Sequence, residues 1–276
     1  MSIFKRLAKI AGFERDVPHE EDAPFLQVVK LNAGYNGKTA LGDISFEVQT
    51  GSSVAVVGPN GAGKSTLFKV IAGVMPAQSG SVKISGHQPQ GHICIAYVPQ
   101  RSEVDWNFPV TVADVVMMGR TGKLGMLRRP KQADWDYVDE CLNLVGLADL
   151  AGRQISELSG GQQQRMFIAQ TLAQEAELLL MDEPFTGLDL PSQEEVFRIL
   201  ETLKQRGVTV MVATHDLGIA AEHFDRVMLL NRVLVGYGAP AEIFTEDRLR
   251  AVYGGQLQMI DTGDGVMVID DTCCDD

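Results

Sequence analysis

The chain predicts an α/β fold in which a mainly parallel sheet is flanked by helices, and two observations carry that prediction. Apolar runs of strand length at 53–57, 93–98, 178–182, 208–213, 226–230 and 233–236 are separated in places by longer stretches of helical periodicity. The first of these runs opens straight into a glycine-rich turn that starts a helix, the order that parallel strands joined by crossover helices require. The 276 residues suit one large unit with two lobes better than two independent domains.

The elements follow in order. Residues 1–24 form an arm and linker, with Ile3, Phe4, Leu7 and Ile10 at helical spacing and Lys5, Arg6 and Lys9 between them. That arm reads equally as an amphipathic helix resting on a membrane or partner and as a short segment packing on its own domain. Strands are predicted at 25–31, 44–48 and 53–57, then a helix from Lys64 to a C-cap at Gly73, then strands at 81–84 and 93–98, the latter stopped by Pro99. Helical periodicity at 111–118, 132–145 and after Gly161 makes a helical lobe of about 101–174. Strand character then returns, with a helix at 192–206, and the core unit closes near 255 before an acidic tail at 256–276.

Composition excludes several classes. With 45% apolar and 22% charged residues the chain is neither disordered nor fibrous. A formal charge of -12 without a basic stripe argues against a nucleic-acid partner. No run approaches the ~20 apolar residues of a membrane span, and Lys5, Arg6 and Lys9 interrupt what a secretory signal would need to be apolar. Cys94, Cys141, Cys273 and Cys274 are therefore expected as reduced thiols. Cys273 and Cys274 among aspartates suggest a metal sensor only weakly, because adjacent cysteines share a tetrahedral site poorly and the neighbouring charges disfavour thiolate.

Three motifs carry chemistry. Gly58-Pro59-Asn60-Gly61-Ala62-Gly63-Lys64-Ser65-Thr66 lies between a buried strand and a helix, where backbone N–H groups can converge on phosphate, Lys64 can reach its outer oxygens and Ser65 can offer a hydroxyl to Mg²⁺. The run 178–181 presents Asp182 and Glu183 at its end. Alternation along the strand lets Asp182 hold the cation while Glu183 turns toward attacking water. Ser159-Gly160-Gly161-Gln162 starts a helix, with serine as N-cap and glycines for close approach; by itself it reads equally as an ordinary capped helix start. The chain has a second glycine-rich anion turn but one phosphate-loop lysine and one Asp-Glu pair. The economical arrangement places ATP between two copies related by a two-fold axis.

On these residues the chain resembles the nucleotide-binding ATPase subunit of an ABC transporter, over roughly 25–253. The resemblance implies a P-loop NTPase fold with an antiparallel β subdomain and a helical subdomain, using ATP and Mg²⁺. It implies that Tyr35, which by itself reads equally as an ordinary turn aromatic, stacks on adenine, that Gln100 near the water and His215 on the γ-phosphate join Glu183 in catalysis, that Gln100 also joins Ser65 and Asp182 at the cation, and that Asp189 contacts the nucleotide across the dimer. The loop around Asp189 reads Thr186-Gly187-Leu188-Asp189 rather than the common Ser-Ala-Leu-Asp. Residues 104–120 are similar to the matching region of ATPases from bacterial manganese, zinc and iron importers. There Trp106 and Phe108 form either an exposed apolar patch for a permease helix or a plug within the helical lobe. The implied partners are a second copy, transmembrane permease subunits and a metal-binding capture protein on the far side, with the ATPase peripheral on the cytoplasmic face. ATPases of siderophore or haem importers look much alike and stay open. A soluble ABC protein acting on ribosomes or DNA would usually carry two cassettes or a long coiled coil, and this chain has neither.

Overall fold

The computed structural model describes residues 24–86, 95–124 and 129–254, together with the backbone of 257–261 and 266–270. The arm at 1–23 and the Cys273-Cys274 pair lie outside the described residues.

Three layers position the functional residues. The outer one is an antiparallel sheet of β1 (Leu26–Tyr35), β2 (Lys38–Val48) and β4 (Ser79–Ile84), in the order β2-β1-β4. β1 and β2 run further than expected because Asn36 and Gly37, both at positive φ, fold them into a tight hairpin that Asn32 and Gly34 disguise in the sequence. The central sheet takes the order β5-β6-β7-β3-β8-β9 from β3 (Ser53–Val57), β5 (Ile95–Val98), β6 (Leu178–Asp182), β7 (Thr209–Thr214), β8 (Arg226–Asn231) and β9 (Val233–Gly238). All neighbours in it are parallel except β9, which turns back on β8.

Strand alternation sorts the core into two halves. Val54 and Val56 of β3 and Leu178 and Leu180 of β6 face the antiparallel sheet and α1 (Lys64–Ile71). Ala55, Val57, Leu179 and Met181 face the helices on the other side. By the same period Asp182 falls on the α1 side, which is what brings it to the phosphate-loop helix.

The helical lobe holds α2 (Val112–Met118), α3 (Thr121–Leu124), α4 (Gln132–Leu144) and α5 (Gly160–Gln174). Thr111 and Asp114 form a capping box on α2, and Ser159 and Gln162 form one on α5. Inside the lobe the Arg120 guanidinium pairs with Glu175 at 2.7 Å and Asp134 at 3.4 Å, and lies over the Tyr137 ring. α6 (Leu190–Gln205) follows β6, and α7 (Leu217–His223), α8 (Pro240–Ile243) and α9 (Glu246–Tyr253) complete the described helices.

The segment expected as a plain acidic tail contains a hairpin of β10 (Leu257–Asp261) and β11 (Val266–Asp270). Its two β-rich runs flank a glycine-containing gap, a hairpin signal masked in the sequence by the surrounding aspartates.

Candidate functional site

β6, β7 and β3 are neighbours, and their C-terminal ends deliver the site residues to one edge, the usual ligand edge of an open α/β sheet. β3 ends at Val57 and leads into Gly58, where a Cβ would stand 2.1 Å from the Leu230 carbonyl oxygen. Only glycine lets the loop leave the sheet so close to β8. Gly63, at φ 99, then starts α1.

Lys64 is buried, and its ammonium donates a 2.6 Å hydrogen bond to the Gly58 carbonyl while lying 3.6 Å from Glu183 Oε1. Burial pushes it below the usual lysine range against the opposing pull of Glu183 and Asp182. Asp182, 3% exposed, accepts a hydrogen bond from the Ser65 hydroxyl. Burial pushes it above the usual aspartate range; the Ser65 bond and Lys64 pull it back, while Glu183 adds to the rise.

Glu183 leaves the strand at φ 50, a left-handed conformation rare outside glycine, while its N–H still bonds the Ala213 carbonyl at 3.0 Å. That turn carries its carboxylate away from Asp182 toward β7. There Oε2 lies 2.8 Å from His215 Nδ1 and accepts a 3.3 Å bond from the Thr186 hydroxyl. His215 stays half exposed beyond the end of β7. Lys64, Ser65, Asp182, Glu183 and His215 therefore meet in one place. Thr186 joins them, although nothing in the sequence beyond its position after Glu183 pointed to that contact.

The remaining predicted residues are arranged differently. Tyr35 is exposed at the tip of the β1-β2 hairpin, near enough to Lys69 of α1 to influence its charge. Gln100 is exposed at the head of a short turn, Arg101–Glu103, and among the described residues its side chain makes no hydrogen bond with Ser65 or Asp182. Glu103 of that turn pairs with Lys69 at 2.8 Å. Asp189 caps α6 by accepting from Ser192 N–H at 3.0 Å, and bonds from Ser192, side chain first, hold it below the usual range.

Ser159 and Gln162 bond one another reciprocally at the start of α5. Gly161 is buried, but what approaches it closely is its own chain: a Cβ there would lie 2.7 Å from Ser192 Oγ. Trp106 and Phe108 divide between the two roles considered for them. Trp106 turns inward onto Phe167, ring centroids 5.7 Å apart, while Phe108 is 55% exposed. A cleft of about 460 Å³ lined by Phe197, Leu200, His223 and Phe224 opens elsewhere, with none of the phosphate-loop residues in its walls.

Comparison with known proteins adds to this geometry. The family model described as "ABC transporter" matches residues 41–186. The manganese transport system ATP-binding protein MntB of Bacillus subtilis is 44% identical over 236 residues, 85% of this chain and 94% of that one. The zinc transport system ATP-binding protein TroB of Treponema pallidum is 46% identical over 233 residues, 84% and 88% of the two chains. An inward-facing structure described as a metal-chelate type ABC transporter superposes with a TM-score of 0.76 at 29% identity, covering 89% of this chain and 96% of that one.

Proposed function

The chain belongs to the ABC transporter family of ATP-hydrolysing subunits, and from that premise we propose that it powers a membrane importer of divalent metal ions, manganese, zinc or iron. The metal class rests on similarity to MntB and TroB. The chemistry rests on one observation: Glu183 is held between Lys64 and His215 at the mouth of a phosphate loop.

Backbone N–H groups of the loop from Gly58 to Thr66, with Lys64, bind the phosphates of ATP. The Ser65 hydroxyl and the Asp182 carboxylate form an all-oxygen pair that suits Mg²⁺, the remaining positions falling to phosphate oxygens and water. When bound, that ion neutralises charge on the transferred group. Glu183 orients and polarises the attacking water, and His215 holds the Glu183 carboxylate in place. Tyr35 packs on the base, Gln100 comes to the cation and the attacking water, and His215 also reaches the γ-phosphate.

The Ser159 to Gln162 turn of a second copy covers the γ-phosphate, so each site takes residues from two chains, with Asp189 at their junction. Closure of the pair pulls on permease subunits through the helical lobe, where Phe108 offers an exposed contact. No helix among the described residues is long and apolar enough to cross a membrane. The subunit is held at the cytoplasmic face through its permease, and a capture protein on the far side delivers the metal.

The test is reconstitution with the permease and capture protein in vesicles, following ATP-driven entry of Mn²⁺, Zn²⁺ and Fe²⁺ beside a ferric siderophore. Uptake of a metal ion supports the reading. Uptake of the siderophore alone, or none with ATP, overturns it.

A further inference from the structure

Gly160 and Gly161 both sit in the first turn of α5 without positive φ, so backbone conformation does not explain why glycine is there. Their surroundings differ. A Cβ on Gly160 would meet Leu188 Cδ2 at 3.0 Å and an Arg101 guanidinium nitrogen at 3.3 Å, both far ends of flexible side chains that can move aside. A Cβ on Gly161 would meet Ser192 Oγ at 2.7 Å and Ser192 Cβ at 2.8 Å. The second obstacle belongs to the helix itself, because a Cβ cannot be rotated away. Ser192 is further fixed by Asp189, which accepts from its N–H at 3.0 Å and from its hydroxyl.

The seam continues one turn along each helix, where Arg165 of α5 meets Glu195 of α6 at 2.8 Å. Gly161 and Arg165 are four residues apart and Ser192 and Glu195 three apart, so each pair lies on one helical face. The start of α5 is thereby set against the start of α6. The loop from Glu183 through Leu188 to Asp189 is what places α6.

We infer that Ser192 is a positioning residue for the Ser159 to Gln162 turn, and that Gly161 is glycine because Ser192 fills the space a side chain would need. This rests on the two-copy reading above, in which the turn so positioned covers the partner's nucleotide.

A double-mutant cycle tests it. Gly161→Ala is expected to lower the thermal midpoint and to reduce ATP turnover about tenfold, as overpacking a tight seam does. Ser192→Gly leaves Cα as the nearest atom at 3.8 Å, an ordinary contact. Gly161→Ala with Ser192→Gly should therefore recover the midpoint, and turnover to within about threefold of Ser192→Gly alone. If the double variant is no better than Gly161→Ala in either measurement, Gly161 answers to a ligand and the inference fails. Gly160→Ala should hold its midpoint; loss comparable to Gly161→Ala counts against the steric contrast. ATP-driven pairing in a Glu183→Gln background checks the two-copy reading separately. If that parent does not pair, the reading falls, while the midpoints still decide whether Ser192 excludes a side chain at Gly161.

Discussion

His215 Nδ1 lies 2.8 Å from Glu183 Oε2, so the residue that follows β7 holds the carboxylate that follows β6. The contact is possible because Glu183 leaves its strand at φ 50, turning its side chain toward the neighbouring strand. Removing the carboxylate charge while keeping its shape should stop turnover without stopping nucleotide binding. Glu183→Gln is expected to cut phosphate release by about 10²- to 10⁴-fold and to accumulate an ATP-bound pair on size exclusion. Wild-type phosphate release would refute the role.

The other side of that contact is separable. His215→Ala removes the shortest support of the Glu183 carboxylate and leaves it only the longer contacts with Thr186 and Lys64, so turnover should fall by about a hundredfold with ATP affinity little changed. Thr186→Val removes the longer 3.3 Å bond and should cost several-fold less than His215→Ala. A larger effect at Thr186 than at His215 would reverse the assignment of the main support.

Asp182 gives a pH signature. Its pKa is raised on folding, chiefly by burial, so between the ordinary aspartate pKa and the raised one the folded state binds more protons than the unfolded. Stability contributed there is present in acid and is lost as pH rises through the folded pKa. Asp182→Asn should raise the thermal midpoint at neutral pH, and the gain should shrink in acid, while Mg²⁺-dependent turnover disappears. A midpoint that falls at neutral pH would contradict the burial cost.

Two glycines of the phosphate loop should respond differently to alanine. At Gly58 a Cβ would press on the Leu230 carbonyl oxygen at 2.1 Å, and that backbone belongs to β8. The cost should reach about 3 kcal/mol. Gly61, at φ 79, has nothing within 4 Å of an added Cβ, so alanine there costs only its left-handed conformation, about 1–2 kcal/mol. Denaturant midpoints of the two variants check the order.

The helical lobe depends on a partly buried charge. Arg120, 13% exposed, answers both Glu175 and Asp134, and Lys123 also pairs with Glu175. Arg120→Met leaves Asp134 without its cation pairing and should destabilise by about 3 kcal/mol. Hydrogen exchange should rise first in α4 and α5, ahead of the central sheet. Uniform loss across the chain would place the fault elsewhere.

Much of the site was legible because each motif is contiguous and sits at the end of a readable strand. The run 178–181 predicts a buried strand, and its period places Asp182 on the α1 face beside Ser65. Ser159 capping α5 follows from the residue types alone. Trp106 and Phe108 were not separable, since two aromatics beside a proline carry no sign of which one finds Phe167. The pairing of β10 with β11 has little signal in the sequence, because the charge of that segment outweighs its β-propensity.

By itself the sequence determined the chemistry: a phosphate loop, an Asp-Glu strand end and a second glycine turn, in an order that calls for two copies. Those features are encoded locally, since backbone turns, caps and strand alternation depend on neighbouring residues. The tertiary structure decided what touches what across long separations. It set His215 against Glu183, gave Asp189 to the α6 cap, and put Ser192 where Gly161 would otherwise carry a side chain. Those contacts depend on how strands are ordered in the sheet and how helices seat on one another, and no periodicity along the chain specifies either.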